Sequence, residues 1–338
     1  MIDAVDIQEN EIASIDISIL DTLLIDRTMS YHKKNISNIL WLTKNYEELG
    51  PGYFERDEIR SESITGSHVN IIQPRVKKTK DAQKGRSREK AEVFTPAWVC
   101  NKQNNLIDEQ WFGKSGVFNV ETSNSWKTTK TKILFSKKSG KTWRDYVKEQ
   151  RIEITCGEAP YLTSSYDTLT GEPIPICNRI GILDRKLRVI SENVNDKDDW
   201  FKWAVEAYKS IYAFEWQGDN LVLARENLFY AFVHNFVYKF NSDPTIDMMK
   251  EISEIISWNV WQMDGLKGVI PGSCHEEIFE SADLLFYDPN QAVKTAPCPG
   301  CVNNDLRLHN GYKCLIMDWE LCKPVEFISL VDSELCRR

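Results

Sequence analysis

A small-residue turn and the acidic residues that follow it carry most of the chemistry in this 338-residue chain. The turn is Cys156-Gly157-Glu158-Ala159, entered from the apolar alternation of Ile152 and Ile154 around Glu153. Two later strand-like runs end on acids: Tyr212-Ala-Phe-Glu215 and Trp258-Asn-Val-Trp-Gln-Met-Asp264. A carboxylate has two acceptor oxygens and no donor, so Glu215 at a strand end can accept from both hydroxyls of a ribose. Asp264 can likewise accept from the exocyclic amino group of an adenine. Small residues in the turn let backbone N–H groups approach such a ligand. Any one of these acids alone reads most simply as a solvated or helix-capping carboxylate. Their order along the chain points to a nucleoside cofactor.

A second constellation lies near the C-terminal end. Cys298-Pro-Gly-Cys301 is a tight C-x2-C knuckle, and His309 and Cys314 follow it closely, with Cys322 as a substitute fourth ligand. Thiolates at this spacing, with His309 and Cys314, fit a tetrahedral structural zinc. A second C-x2-C is absent, so free thiols and a redox pair stay open as alternatives. The flanking Pro297 and Asn303-Asn304 indicate a loop, not the helix start of a redox pair. His32, His68, His234 and His275 are isolated and pair with no serine or cysteine nucleophile; His234 reads as a packed core residue. No P-D…(D/E)-x-K set stands in a strand context, which leaves a nuclease as a weak third reading.

These residues need elements to position them. Residues 10–30 carry Ile12, Ile15, Ile19, Leu23 and Leu24 on one helical face. Residues 35–48 fit a buried strand or a short helix, and 50–90 a polar, basic loop or arm. A β-hairpin is expected within 115–145, around Ser139-Gly140. Strand 152–155 opens the central pattern and an excursion follows at 163–198, with a basic knot at Arg185, Lys186 and Arg188. A helix through Trp200, Trp203, Ala204, Ala207 and Ile211 leads to strand 212–216. Helix 219–239, a helix opened by Pro244 and strand 258–263 complete the set. Strand-like runs at 313–318 and 325–330 come last. Alternating strands and helices predict an α/β fold, a doubly wound, mostly parallel sheet with helices on both faces.

Composition bounds the class. The 42% apolar content and eleven Trp suffice for a sizeable core. No run approaches the roughly 18 apolar residues of a membrane span, and the N-terminus has no secretory signature. Nine scattered cysteines, an odd number, argue against a disulfide framework and place the protein in a reducing cytoplasm. Net charge is −8, yet 75–90 and 127–148 are basic, the second interleaved with Trp126, Phe135, Trp143 and Tyr146. Such stretches grip phosphates locally or merely keep a loop solvated.

Together these motifs resemble the modification subunits of the N6-adenine DNA methyltransferases of restriction–modification systems. The family's cofactor-contacting (G/A)-E-x-F-T-P corresponds to Ala91-Glu92-Val93-Phe94-Thr95-Pro96. Its cofactor loop, (D/E)-P-A-C-G-x-G-x-F-L, is similar to Glu153 through Leu162. Its ribose-binding acid falls on Glu215, within Tyr212-Ala-Phe-Glu-Trp-Gln-Gly-Asp-Asn-Leu-Val-Leu-Ala-Arg-Glu-Asn-Leu228, and its adenine-contacting acid on Asp264. The resemblance covers roughly residues 85–270. It implies a Rossmann-like fold, S-adenosylmethionine as cofactor and double-stranded DNA as substrate. Thr95, Pro96, Glu153, Cys156, Gly157, Ala159, Glu215 and Asp264 would form the cofactor site. Lys77, Lys78, Lys84, Arg86 and Arg88 are the candidates for contacts to the DNA backbone.

Three departures stand out. Ala159 replaces a glycine and Pro160 follows it. The step from Glu153 to Glu215 is 62 residues, against about 20 in such folds, so 163–198 is expected to be an insertion. The family's catalytic (D/N)-P-P-(Y/F), which binds the amino group of a flipped adenine, is not in the sequence. Asp288 and Pro289, in Tyr287-Asp-Pro-Asn290, are its nearest counterpart, with a plain turn as the alternative. The expected organisation is an N-terminal helical segment and basic arm at 1–90, a methyltransferase-like domain at 91–270, and a Cys-rich extension at 271–338. A second protein subunit would supply the catalytic motif; a non-catalytic DNA-binding or scaffold subunit of the same fold is the alternative.

Overall fold

The computed structural model of the chain describes residues 9–78, 95–136, 140–279 and 294–335. The apolar stretch at 10–30 folds as three helices in place of one: α1 (Glu9–Ile15), α2 (Ile17–Leu24) and α3 (Arg27–Lys33). The breaks fall on aspartates. Asp16 accepts from the Ser18 amide and Asp26 from that of Met29, and an N-cap carboxylate starts a new helix where it sits. Residues 35–48 form neither a strand nor an α-helix; they run past β-bridges at Asn38 and Leu40, with Trp41 wholly buried. The short helix α4 (Ser61–Ile64) follows.

Next come α5 (Ala97–Phe112) and a hairpin of β1 (Asn119–Thr122) and β2 (Ser125–Thr128). The hairpin turns at Asn124, at φ 51°, a left-handed conformation that asparagine tolerates; Ser139, around which it was expected, lies outside the described residues. Then α6 (Trp143–Lys148) precedes β3 (Arg151–Ile154). The 163–198 excursion contains α7 (Ile182–Asn193), and α8 (Lys197–Lys209) follows, capped by Asp196. From there β4 (Ile211–Glu215), α9 (Gly218–Phe240), α10 (Ile246–Asn259) and β5 (Val260–Gln262) alternate as expected. The fold is mixed α/β, with β3, β4 and β5 forming one parallel sheet in that order.

Helix α7 of the excursion is core, not surface. Arg185 and Lys186 of the basic knot are each 1% exposed. Arg185 pairs with Asp108 and donates to Asn101 and Asn105. Lys186 donates to the carbonyls of Val147 and Glu149 and to the Ser210 hydroxyl, and burial pulls its pKa far down. Buried cations persist when they are paired and hydrogen-bonded in this way, and of the Arg185 donors Nε has no partner among the described residues.

The two faces of the sheet are covered differently. Ile211, Ala213 and Val260 belong to a core built largely from α2, α7, α8, α9 and α10. Phe214 and Trp261, on the opposite face, pack with Met29, Met263, Ile270, Cys314 and Ile316. The C-terminal region folds as β6 (Glu277–Phe279), β7 (Lys294–Ala296), α11 (Pro299–Asn303), β8 (Leu315–Asp318), β9 (Lys323–Glu326) and α12 (Phe327–Leu335), of which β8, β9 and the start of α12 join α3 in that cover. The expectation of helices on both faces is met only in part, since on this face Met29 of α3 and Phe327 of α12 share the cover with strands. An antiparallel β8–β9 hairpin occupies the second face, and the run at 325–330 turns helical after Glu326. The cover does not reach β3. Ile152 and Ile154 share the face of Tyr212 and Phe214 by register, yet remain 46% and 66% exposed.

Candidate cofactor edge and metal centre

The turn after β3 is shaped by three residues at positive φ: Thr155 (51°), Gly157 (55°) and Ala159 (60°). Ala159 thus holds the left-handed conformation expected of a glycine, at a cost of roughly 1–2 kcal/mol. Its amide donates to the Cys156 carbonyl at 2.8 Å, and the Cys156 amide to Phe214 O at 2.9 Å. The Cys156 side chain itself is buried. Glu215 closes the arrangement. Its Oε2 accepts from the Gly157 amide at 2.9 Å and its Oε1 from the Gln217 amide at 3.2 Å. Burial raises the Glu215 pKa and these amides oppose the rise. The sequence-predicted turn and the second-strand acid are in direct contact.

Glu153 plays a different part from the one expected. It is buried beneath the turn, where the amides of Tyr161 and Leu162 donate to it at 3.4 and 3.2 Å. Burial, with the nearby charge of Glu215, pushes its pKa up to about 8 although those amides pull against it. Glu153 anchors the turn from inside. Glu158 is committed as well, accepting from Tyr166 Oη at 2.5 Å and from the Arg75 amide at 2.7 Å. Thr95 stands against the residues that follow this loop: its carbonyl accepts from Thr168 Oγ1 at 3.0 Å. Pro96 caps α5. Residues Ala91 to Phe94 lie outside the described residues.

Asp264 follows β5 on the same edge. The Met263 amide donates to the Glu215 carbonyl at 3.0 Å, so Asp264 stands one residue past that link. Asp264 Oδ1 accepts from the Leu266 amide at 3.0 Å, and Lys267 Nζ lies 3.7 Å from Oδ2. Two N-terminal segments bound this edge, a relationship not legible in the sequence. Gln262 exchanges hydrogen bonds with the Leu40 backbone, and a Cβ at Gly218 would stand 2.1 Å from Leu40 O, so only glycine fits there. Tyr46 Oη donates to Asp219 at 2.8 Å, and Lys78 Nζ lies 3.6 Å from the same carboxylate. Lys78, expected on DNA, is thus turned inward, while Lys77 is exposed. Lys84, Arg86, Arg88, Asp288 and Pro289 lie outside the described residues.

The cysteine cluster forms, with one change of ligand. Cys274, Cys298, Cys301 and His309 place their four ligand atoms within 4.8 Å of one another and can hold a metal ion. His309 Nδ1 lies 3.6 Å from Cys274 Sγ, 3.6 Å from Cys298 Sγ and 3.7 Å from Cys301 Sγ. One ring nitrogen has a single proton or a single lone pair, so three sulfurs at equal distance cannot all be its hydrogen-bond partners. A shared cation would draw the four ligand atoms together in this way. Gly300 permits the close approach: a Cβ there would stand 2.4 Å from His309 N. Burial opposes ionisation of Cys298, but the amides of Asn310 and Cys301 and the side chains of His309 and Cys274 bring its pKa down to about 6.

Cys314 is corrected out of this set. It is 1% exposed, packs in the second core, and its thiol donates to Gln262 O at 3.4 Å. Cys322 is exposed beside Trp319, to whose carbonyl its thiol donates. Cys274 escaped the sequence reading because it lies 24 residues before Cys298, outside the compact window around the knuckle. None of the described cysteines is in a disulfide. Among the described residues no helix is long and apolar enough to cross a membrane. Comparisons of the chain with protein-family models, with curated proteins and with solved structures found no match.

Proposed function

We propose that this chain is the S-adenosylmethionine-binding component of an N6-adenine DNA methyltransferase of a restriction–modification system, with a Rossmann-like fold completed by a second polypeptide. One observation carries the reading: the acid ending β4 grips the amide of the turn after β3. That places a carboxylate with spare acceptor capacity beside a tight turn at the carboxyl ends of parallel strands, where nucleoside cofactors bind. Glu215 would take the ribose hydroxyls and Asp264 the adenine amino group. The Cys156–Ala159 turn and Thr95 and Pro96 would line the pocket. Bound there, S-adenosylmethionine supplies an activated methyl group for the amino nitrogen of a target adenine. The residues of this chain hold and orient it.

The open edge of β3 supports the second polypeptide. Among the described residues no strand pairs on that side, and exposed Ile152 and Ile154 flank it. A parallel strand carrying the catalytic motif would cover both. The described basic surface at 127–148, where Lys141 stacks on Trp111 and Arg144 on Trp143 and Trp203, suits contact with a DNA backbone. Such binding weakens steeply with added salt.

The cation suited to Cys274, Cys298, Cys301 and His309 is zinc. Bonds of about 2.3 Å to sulfur and about 2.05 Å to nitrogen at tetrahedral angles put sulfur and nitrogen about 3.6 Å apart, which the three His309 distances match. The decisive experiment is calorimetry of the purified chain with S-adenosylmethionine, followed by a methylation assay with and without the product of the neighbouring reading frame. Binding, with methylation only in the mixture, is expected. No binding to the folded chain overturns the reading in favour of a non-catalytic DNA-binding or scaffold subunit.

A further inference from the structure

Three aromatic rings from distant parts of the chain meet on the surface. Tyr31 and His32 lie in the second half of α3, and Tyr312 lies shortly before β8. The His32 ring centroid stands 5.2 Å from that of Tyr312, with 39° between the planes, and 5.8 Å from that of Tyr31, edge-on at 89°. His32 Nε2 lies 3.3 Å from the Lys313 carbonyl, and the Leu315 amide donates to Thr28 Oγ1 at 3.0 Å, which ties α3 to β8. All three rings are nevertheless exposed, Tyr31 by 58% and Tyr312 by 42%. Single exposed apolar residues are ordinary on a protein surface, whereas contiguous ones mark a place where something binds.

The rings stand beside the turn that carries Asp264. Asp264 is bridged to Val269 and Val269 to Lys313, and the Ile270 amide donates to Tyr312 O at 2.9 Å. Neighbouring segments of such a ladder lie about 4.8 Å apart, so the Tyr312–Lys313 backbone is about 10 Å from that of Asp264. The charge next to the rings is cationic. Lys33 and Lys34 follow His32 directly and both are exposed, with Lys34 closing α3 at φ 57°. Lys313 is the exception, since its ammonium pairs with Glu326 at 3.6 Å. A ligand that presents flat rings together with negative charge matches both properties, and a DNA strand with unpaired bases is such a ligand.

We propose that Tyr31, His32 and Tyr312 form a stacking platform for unpaired bases of DNA, with Lys33 and Lys34 on the adjoining phosphates. This inference deepens the function proposed above and rests on it. An adenine must leave the duplex to be modified, and extrusion at Asp264 leaves unpaired bases close to these rings. Stacking tolerates any sequence because every base has a π face. The platform therefore supports the opened strand without choosing the site.

The test uses the full chain in anisotropy titrations with two labelled probes of about 12 nucleotides, a single DNA strand and the same strand with abasic sites in place of its bases. The parent should bind the normal strand more tightly than the abasic one. Tyr31→Ala and Tyr312→Ala should each weaken the normal strand about tenfold and leave the abasic strand unchanged. Tyr31→Phe and Tyr312→Phe keep the ring and should bind as the parent does. Joint replacement Lys33→Ala and Lys34→Ala should weaken both probes alike and flatten the salt dependence. Both tyrosines are exposed, so thermal unfolding should be unchanged in their variants. Equal affinity of the parent for the two probes, or parental affinity for the normal strand in both alanine variants, overturns the platform and leaves the patch as a contact for protein. Calorimetry with S-adenosylmethionine on the same preparations separates the two readings. A parent that distinguishes the probes but binds no cofactor keeps the platform and loses the methyltransferase assignment. A parent that binds cofactor but does not distinguish the probes keeps the assignment and loses the platform.

Discussion

Glu215 Oε2 accepts the Gly157 amide at 2.9 Å, joining the end of β4 to the turn after β3. The Gln217 amide takes the other oxygen. A carboxylate has about four acceptor positions, so two backbone amides orient this one without exhausting it. The pair sets the direction in which the remaining acceptor capacity points.

Removing either edge carboxylate should therefore weaken S-adenosylmethionine. Hydrogen bonds to charged groups contribute about 1.5–3 kcal/mol, so Glu215→Ala and Asp264→Ala should each raise the dissociation constant at least about tenfold in calorimetry. Thermal unfolding of both variants shows whether the fold survives. Parental affinity in either variant removes that residue from the site.

The ligand set can be read by zinc content after gel filtration. Cys274→Ser and Cys301→Ser should each lose most of the metal, since a structural zinc needs all four ligands. Cys314→Ser should retain it, because that thiol is bonded to Gln262 O in the second core. The opposite pattern, loss with Cys314→Ser and retention with Cys274→Ser, would restore the ligand set read from spacing.

Glu153 makes stability depend on pH in a particular direction. In the folded chain it keeps its proton to about pH 8, whereas a solvated glutamate releases it near 4.5. Between those values the native state binds the extra proton, so this contribution is full below about pH 4.5 and is lost as pH rises through about 8. Glu153→Gln cannot titrate. In urea unfolding across pH 5–8 the parent should lose stability relative to the variant; parallel curves would mean that Glu153 is already ionised in the fold.

Arg185 and Asp108 form a buried ion pair that Tyr146 also joins, donating to Asp108 at 2.9 Å. Arg185→Met leaves that carboxylate buried with too few partners and should cost about 3–5 kcal/mol in chemical unfolding. Adding Asp108→Leu should recover part of the loss. A single-variant cost below about 1 kcal/mol would place the pair in a surface-like environment.

Much of the central sheet is legible in the amino-acid sequence because its signals are local. Alternating Ile152 and Ile154 mark β3, Asp196 caps α8, and apolar spacing at Ile252 and Ile256 marks α10. The positions of Glu215 and Asp264 at strand ends follow from the same patterns. Asp16 and Asp26 were equally local, yet a continuous apolar face masked them as helix breaks.

Tertiary structure alone decided the rest. Whether a charged residue faces water or core depends on what packs over it, so the burial of Arg185, Lys186 and Glu153 had no mark in spacing. The second face of the sheet took a hairpin because β8 and β9 return to it across a long stretch of chain. The fourth ligand was chosen in the same way. Cys274 reaches His309 because the 264–274 and 308–314 segments are laced side by side, and that pairing, not proximity in sequence, turned Cys314 into the core.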